Sequence, residues 1–136
     1  MPLYAMLDST LNAESMKDNN APVWNEKLSV LAWNLYLKGS DKNHISKYAS
    51  PALEKDCSSL PPAFNFTGEF DPFKDENLAY MKRLKSAGIP VRFKIFKGGC
   101  HGFEMFTTKG EIAKQAIKFT FDSFAYGIDN YFNPQN

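Results

Sequence analysis

Short apolar runs alternate with longer amphipathic segments along this chain. Residues 3–7 and 63–67 are compact apolar runs bounded by polar residues or glycine, a pattern typical of buried strands. Residues 91–96 instead alternate apolar with basic side chains, as a strand near the edge of a sheet does. The pattern therefore predicts three strands.

Apolar side chains at helical spacing predict a first helix that starts at about Trp24. The stripe consists of Trp24, Leu28, Leu31 and Leu35. Residues 9–22, which precede it, are polar and predict a loop. We interpret Trp24, Trp33 and Tyr36 as packing residues, an interpretation that overlaps with ligand contact if this helix covers a crevice.

Two further helices are predicted at residues 74–87 and 109–126. The first has acidic residues in its first turn and basic residues in its last, and Gly88 is placed to cap its end. Gly127 is placed to end the second. Because a helix connects the last two strands, we expect them to be parallel, with a right-handed crossover. The fold class is thus α/β, with a mostly parallel three-stranded sheet and flanking helices.

Composition limits the classes of function. The 136 residues are 43% hydrophobic and 15% aromatic, which is enough for the core of one globular domain. The 16 basic and 15 acidic residues are spread along the chain and leave a net charge of +1, so no basic stripe fits a nucleic-acid backbone. No apolar run is long enough to span a membrane, and the first residues lack the pattern of a signal peptide. We therefore expect a cytoplasmic protein with no nucleic-acid partner and no membrane span.

The cysteines and histidines form neither a disulfide nor a metal pattern. Cys57 and Cys100 are too few for a disulfide framework, and with His44 and His101 they show no metal-ligand spacing. We expect two free thiols, no metal and no cofactor. His44 lies in a polar run and is interpreted as a surface residue.

An acid and a histidine follow the last two predicted strands. Asp71 comes after the strand that Gly68 closes, and His101 comes after the next one. Because the carboxyl ends of parallel strands meet at one crevice, we expect the two side chains to lie close together. Asp71 would then fix the tautomer of His101, so that the second imidazole nitrogen can take a proton from a hydroxyl. The pair predicts the acid and base of acyl transfer.

Each of these residues also has a simpler interpretation. Asp71 alone could cap the following helix, and His101 alone could be an ordinary loop residue. Asp75 and Glu76 are competing acids, but their first-turn positions favour capping and compensation of the helix dipole. Cys100 is interpreted as a packed thiol, because adjacent loop residues seldom direct their side chains at each other. The pair is more specific than either member, because each follows its strand in the right order.

The chain carries five short motifs whose joint order is more specific than any one of them. They are Ser50-Pro51-Ala52, Leu60-Pro61-Pro62-Ala63, Asp71-Pro72-Phe73-Lys74-Asp75-Glu76, Ala87-Gly88-Ile89-Pro90-Val91 and His101-Gly102-Phe103. In this order they resemble the C-terminal part of the hormone-sensitive-lipase-like α/β-hydrolases, which include bacterial carboxylesterases and acetyl esterases. The resemblance implies a partial hydrolase domain over residues 1–136, with Asp71 as the triad acid and His101 as the base. It also implies that residues 9–50 contribute to a lid and that residues 51–136 form the catalytic Asp/His portion.

The nucleophile of such an enzyme has no counterpart in this sequence. No serine lies in a Gly-x-Ser-x-Gly turn, and the only His-Gly pair continues into Phe103 rather than into a glycine-rich oxyanion loop. The resemblance implies that the family's earlier strands, oxyanion glycines and serine elbow would precede Met1. From the resemblance we expect the full-length enzyme to act on a small acyl ester. We expect this chain alone to be inactive and to self-associate through an exposed sheet edge at residues 3–7.

Two alternatives stay open at this point. A prolyl-oligopeptidase-like peptidase ends with a similar order of Asp, helix, Ala-Gly, strand and His-Gly-Phe, although residues 72–76 match the esterase pattern better. In the other alternative the chain is a non-catalytic domain, truncated or partner-binding, in which Asp71 and His101 are relics.

Overall fold

A computed structural model describes residues 1–132 of the chain. Its helices and strands, in chain order, are α1 (Glu26–Tyr36), β1 (Ala63–Gly68), α2 (Lys74–Ser86), β2 (Val91–Phe96), α3 (Phe103–Phe106) and α4 (Glu111–Tyr131). Short 3₁₀ turns occupy Glu14–Met16 and Pro51–Leu53. The predicted order of strand, helix and strand is confirmed for β1, α2 and β2.

β1 and β2 form a parallel pair, as predicted. The register places Ala63 opposite Val91 and Gly68 opposite Phe96. Every residue of β1 is buried, whereas most of β2 is half-buried or exposed. β1 therefore lies inside the molecule, and β2 has the wetter environment that its alternating basic residues predicted.

The third predicted strand, at residues 3–7, is wrong for this structure, because the sheet of residues 1–132 has two strands. The segment does lie beside β1, since the Tyr4 N–H donates to the Phe66 carbonyl at 3.0 Å. The backbone hydrogen bonds between this segment and β1 do not continue as a ladder. Tyr4 has a left-handed backbone (φ +36°), and the Leu7 N–H donates to the Glu76 carboxylate. A side-chain acceptor thus takes the place of strand pairing in this segment.

Two apolar clusters pack on opposite faces of the sheet. The first contains Phe66, Phe96, Phe103 and Ala116. The second contains Cys57, Ala63, Met81 and Leu84. Because side chains alternate between the two faces of a strand, β1 has α2 on one side and α3 with α4 on the other. The result is the layered α/β arrangement that the sequence predicts.

The helix predicted from Trp24 is confirmed as α1, but the stripe of leucines that predicted it does not pack inward. Leu31 and Leu35 are 53% and 63% exposed, whereas Ser29 and Trp33 are buried. Ser29 faces inward because its hydroxyl accepts a hydrogen bond from the Trp24 indole at 3.0 Å. The face of α1 that carries Leu31 and Leu35 therefore points toward solvent.

The two glycines predicted to end helices behave differently. α2 stops at Ser86, and Gly88 follows it with a left-handed backbone (φ +81°), as predicted. Gly127 instead lies inside α4, which continues to Tyr131, so the predicted helix end at this position is wrong. A Cβ atom at Gly127 would lie 2.9 Å from the ring of Phe64, and the glycine is therefore needed for close packing rather than for termination.

Three expectations drawn from composition concern membranes, thiols and metals. Within residues 1–132, no helix is both long enough and apolar enough to cross a bilayer. Cys57 is buried and Cys100 is half-buried, and both are free thiols, as predicted. Among the described residues, no group of three His, Cys, Asp or Glu side chains could hold a metal ion.

Candidate active site

Asp71 and His101 meet in the loops that follow the carboxyl ends of β1 and β2. Nδ1 of His101 is 3.0 Å from Oδ2 of Asp71, although 30 positions separate the two residues in the chain. Asp71 is fully buried, and the His101 side chain is 16% exposed. The structure thus brings together the two residues that the sequence predicts as an acid and a base.

Asp71 uses both oxygens of its carboxylate. Oδ2 faces His101, while Oδ1 accepts the backbone N–H of Phe73 at 2.9 Å. The Asp71 carbonyl also accepts the N–H of Lys74, at the start of α2. Asp71 therefore accepts backbone N–H groups at the start of α2 and also pairs with His101. Because a carboxylate oxygen only accepts, Nδ1 carries the proton of the neutral imidazole and Nε2 is its basic nitrogen.

Close contact between the two loops holds this pair in place. The Phe70 N–H donates to the Gly99 carbonyl at 2.9 Å. A Cβ atom at Gly68 would overlap that carbonyl, and a Cβ atom at Gly99 would lie 2.7 Å from the ring of Phe103. Glycine is therefore required on both sides of the contact, and the spacing of the two loops is set by their backbones.

Three aromatic rings surround the imidazole of His101. The ring centroids of Tyr4, Trp24 and Phe73 lie 4.8, 5.6 and 5.6 Å from the imidazole centroid. Tyr4 and Phe73 meet it edge-on, while the plane of Trp24 is tilted by 35°. The candidate base is therefore enclosed by aromatic rings, and no sequence pattern indicated that Tyr4 would be one of them.

Tyr4 is held by the short helix that follows His101. Its hydroxyl donates to Oε1 of Glu104 at 2.8 Å. Burial, together with the hydrogen bond and the charge of Glu104, raises the pKa of Tyr4 to about 12. The phenol therefore stays protonated at neutral pH and acts as a donor to Glu104 rather than as a base.

Glu76 has a structural role that its sequence position did not indicate. The side chain is buried, and Oε1 accepts the backbone N–H groups of Leu7 at 2.6 Å and Asp8 at 3.2 Å. Burial raises the pKa of Glu76 to about 7, and the nearby charges of Asp8 and Asp71 act in the same direction. The residue interpreted as a helix-start acid thus anchors the first segment of the chain.

Asp75 ties a second part of the chain to the start of α2. Its Oδ2 accepts the N–H of Ser15 at 2.9 Å, and the Ser15 hydroxyl accepts the N–H of Asp75 at 3.0 Å. The same hydroxyl donates to the Pro72 carbonyl at 2.8 Å. The loop at residues 9–22 is therefore fixed to the segment that carries Asp71, by contacts between residues too distant in sequence to be predicted.

The other histidine and the cysteine beside His101 lie outside this constellation. His44 is on the surface, as predicted, with Nδ1 2.7 Å from Oδ2 of Asp41. Cys100 lines a cavity together with Asn19 and Phe70. The candidate site therefore consists of Asp71 and His101 with their surrounding rings.

Comparison with known proteins identifies the family to which the fold belongs. A family model described as the alpha/beta hydrolase fold matches residues 1–105. Carboxylesterase NlhH of Mycobacterium tuberculosis is 30% identical over 119 residues, which cover 83% of this chain and 36% of that protein. Neutral cholesterol ester hydrolase 1 of Mus musculus is 37% identical over 109 residues, which cover 78% of this chain and 26% of that protein.

Solved esterase structures share the fold of the described residues. A bacterial heroin esterase superposes with a TM-score of 0.80 and 30% identity, covering 87% of this chain and 39% of the esterase. Esterase LipW from Mycobacterium marinum superposes with a TM-score of 0.82 and 27% identity, covering 96% of this chain and 40% of that esterase. The chain thus spans well under half the length of these relatives. It belongs to the α/β hydrolase family, in the hormone-sensitive-lipase-like group that contains carboxylesterases.

Proposed function

We propose that this chain is the C-terminal portion of a serine carboxylic-ester hydrolase, to which it supplies the acid Asp71 and the base His101. The observation that carries the proposal is the buried Asp71 carboxylate, 3.0 Å from Nδ1 of His101. A buried acid that orients a histidine for proton transfer is the acid–base part of a Ser-His-Asp triad. The serine and the oxyanion donors would come from outside this chain.

The proposed reaction begins with proton transfer to Nε2 of His101. The serine hydroxyl gives up its proton as its oxygen attacks the ester carbonyl, and Asp71 stabilises the imidazolium that forms. The imidazolium then protonates the leaving alcohol as the ester C–O bond breaks, which leaves an acyl-serine. Water attacks the acyl-serine with Nε2 again acting as base, so the carboxylic acid leaves and the serine is restored.

We infer that the substrate is a small acyl ester and that no cofactor takes part. The carboxylesterases among the relatives support this reaction class. The chemistry needs only side chains, backbone donors and water, so a metal or an organic cofactor has no step to perform.

We further infer that residues 9–50 contribute to a lid and that residues 51–136 form the catalytic Asp/His portion. Two contacts support the inference that residues 9–50 lie over the Asp71–His101 pair. Ser15 is bonded to Asp75, and the Trp24 ring lies against His101. A lid over the acyl pocket would exclude water from the reacting groups.

The isolated chain should have no esterase turnover above background, because it offers no serine elbow and no glycine-rich oxyanion loop. For the same reason, a fluorophosphonate probe should not label any of its serines stoichiometrically. The cytoplasmic location and the self-association expected from the sequence stay predictions.

A chimera tests the proposal. The part of the Mycobacterium tuberculosis carboxylesterase that aligns with this chain, 36% of its length, is replaced by this chain. Hydrolysis of p-nitrophenyl acetate is then measured for the chimera and for the isolated chain. We expect turnover by the chimera and none above background by the isolated chain. A chimera that folds, as judged by circular dichroism and cooperative unfolding, but shows no turnover would contradict the proposal.

A further inference from the structure

A strained turn stands immediately before Trp24. Val23 has a left-handed backbone (φ +73°), and the Trp24 N–H donates to the Pro22 carbonyl two residues back, at 2.9 Å. This is a γ turn with a positive φ at its central residue, a rare conformation that is least suited to a β-branched side chain. Such strain persists only where the surrounding structure enforces it, and it concentrates at functional sites.

The indole of Trp24 is fixed by a second contact. Its Nε1–H donates to the Ser29 hydroxyl at 3.0 Å, and that hydroxyl donates to the Asn25 carbonyl at 2.9 Å. Ser29 is fully buried at the start of α1. A tryptophan held at both its backbone and its ring nitrogen has little freedom to change rotamer.

The fixed ring is directed at the candidate base. Trp24 lies 5.6 Å from the imidazole of His101 and 6.2 Å from the ring of Phe73, measured between centroids. Tyr4 itself has a left-handed backbone (φ +36°), as Val23 has beside Trp24, and its ring centroid lies 4.8 Å from that of the same imidazole. In the described chain, strained backbone thus accompanies two of the three rings that contact His101.

We propose that Trp24 is a positioning residue, whose indole holds the plane of the His101 imidazole and keeps water from the hydrogen bond between Nδ1 and Asp71. The proposal rests on the proposed function in that His101 must be the base for this role to matter in catalysis. An imidazole turns freely about its Cβ–Cγ bond unless neighbours restrict it, and a hydrogen bond to a carboxylate is stronger where water is excluded.

The chain contains an internal control for this shielding. His44 makes the same contact with Asp41, from Nδ1 to Oδ2, at 2.7 Å. The His44 and Asp41 side chains are 83% and 58% exposed, whereas the values for His101 and Asp71 are 16% and 0%. The two pairs share their chemistry and differ in their access to water, so they can be compared in one sample.

The test measures the Nδ1–H proton directly by NMR on the chain labelled with ¹⁵N-histidine. Exchange of this proton with water is compared among the wild type, Trp24→Ala, Trp24→Phe and Ser29→Ala, with Tyr36→Ala as an exposed aromatic control on α1. We expect the His101 proton to exchange more slowly than that of His44. Trp24→Ala should speed the His101 exchange by about tenfold or more, while Trp24→Phe and Ser29→Ala have smaller effects and Tyr36→Ala has none.

An unchanged His101 exchange rate in a folded Trp24→Ala chain would overturn the proposal. If Trp24→Ala does not fold, the proposal is tested with Trp24→Phe and Ser29→Ala. Unchanged His101 exchange rates in both of these variants would then overturn the proposal. Because the readout is a proton rather than turnover, this result is separate from the activity of the chimera. An inactive folded chimera would contradict the proposed function, while a rate that depends on Trp24 would still establish how His101 is held.

Discussion

Oε1 of Glu76 lies 2.6 Å from the backbone nitrogen of Leu7, across 69 positions of the chain. This contact joins the segment that carries Tyr4 to the helix that follows Asp71. Tyr4 in turn lies against His101. A carboxylate outside the acid–base pair therefore helps to set the surroundings of the candidate base.

Glu76 should make the stability of the chain depend on pH. Burial raises its pKa from 4.5 to about 7 in the folded chain, so on unfolding at intermediate pH the group releases a proton. Its contribution to the free energy of unfolding is therefore full below about pH 4.5 and is lost as the pH rises through about 7. The loss should amount to about 3 kcal/mol. Urea unfolding across this range measures it.

Glu76→Gln isolates this effect from that of other titrating groups. In the variant, the free energy of unfolding should not show the decrease with rising pH that Glu76 causes. The difference in free energy of unfolding between variant and wild type should therefore change across this pH range. Glu111→Gln is the matched control, since Glu111 is also a first-turn acid but lies exposed on α4. If the Glu76→Gln and wild-type curves stay parallel across the range, Glu76 does not titrate as described.

Gly68→Ala should destabilise the chain, because the new Cβ atom would overlap the Gly99 carbonyl and push the two loops apart. We expect the free energy of unfolding to fall by about 1–3 kcal/mol. Gly110→Ala is the control, since its Cβ atom would make an ordinary contact of 3.5 Å at a φ of −67°. If urea unfolding gives equal losses of stability for the two variants, the close approach of the loops does not require glycine at position 68.

Asp71→Asn should leave the fold in place and impair the chimera. An asparagine can present an N–H to His101 and so favour the wrong tautomer, with the proton on Nε2. By analogy with other triads, turnover of p-nitrophenyl acetate should fall by about 10³–10⁴-fold. Asp41→Asn removes the acid of the exposed His44 pair and should leave turnover unchanged. If Asp71→Asn keeps turnover within a few-fold of the parent, Asp71 is not the triad acid.

The isolated chain should self-associate at micromolar concentration, through residues 3–7 or the faces beside them. Aromatic side chains of the last helix, including Phe121 and Phe124, are exposed and add apolar surface. Sedimentation measures the association. Hydrogen exchange locates it best at Ala5 and Met6, because the Tyr4 N–H already has an acceptor within the chain. A stable monomer with fast exchange at both residues would contradict the prediction.

The sequence predicts β1, α2 and β2 well because their patterns are local. Alternation in β2 and the charged turns of α2 follow from neighbours a few positions away, and the loops after the strands place Asp71 and His101 at one edge. α3 has four residues, too few for any periodic pattern.

The remaining features depend on partners that are distant in the chain. Residues 3–7 have the composition of a strand, but whether a ladder forms depends on which backbones lie alongside. Glu76 accepts a hydrogen bond from the distant Leu7 N–H, and Trp24 follows a strained turn at Val23. Neither feature leaves a periodic signal, so only the folded chain shows them.

The role of His101 is tested most directly by replacing it in the chimera. The value of kcat for p-nitrophenyl acetate is measured for the chimera and for its His101→Ala variant, with His44→Ala as the control. If His101 is the base, its removal should lower kcat by several orders of magnitude, about 10³-fold or more, while removal of the exposed His44 has no effect. A His101→Ala chimera that keeps most of its turnover would contradict the account.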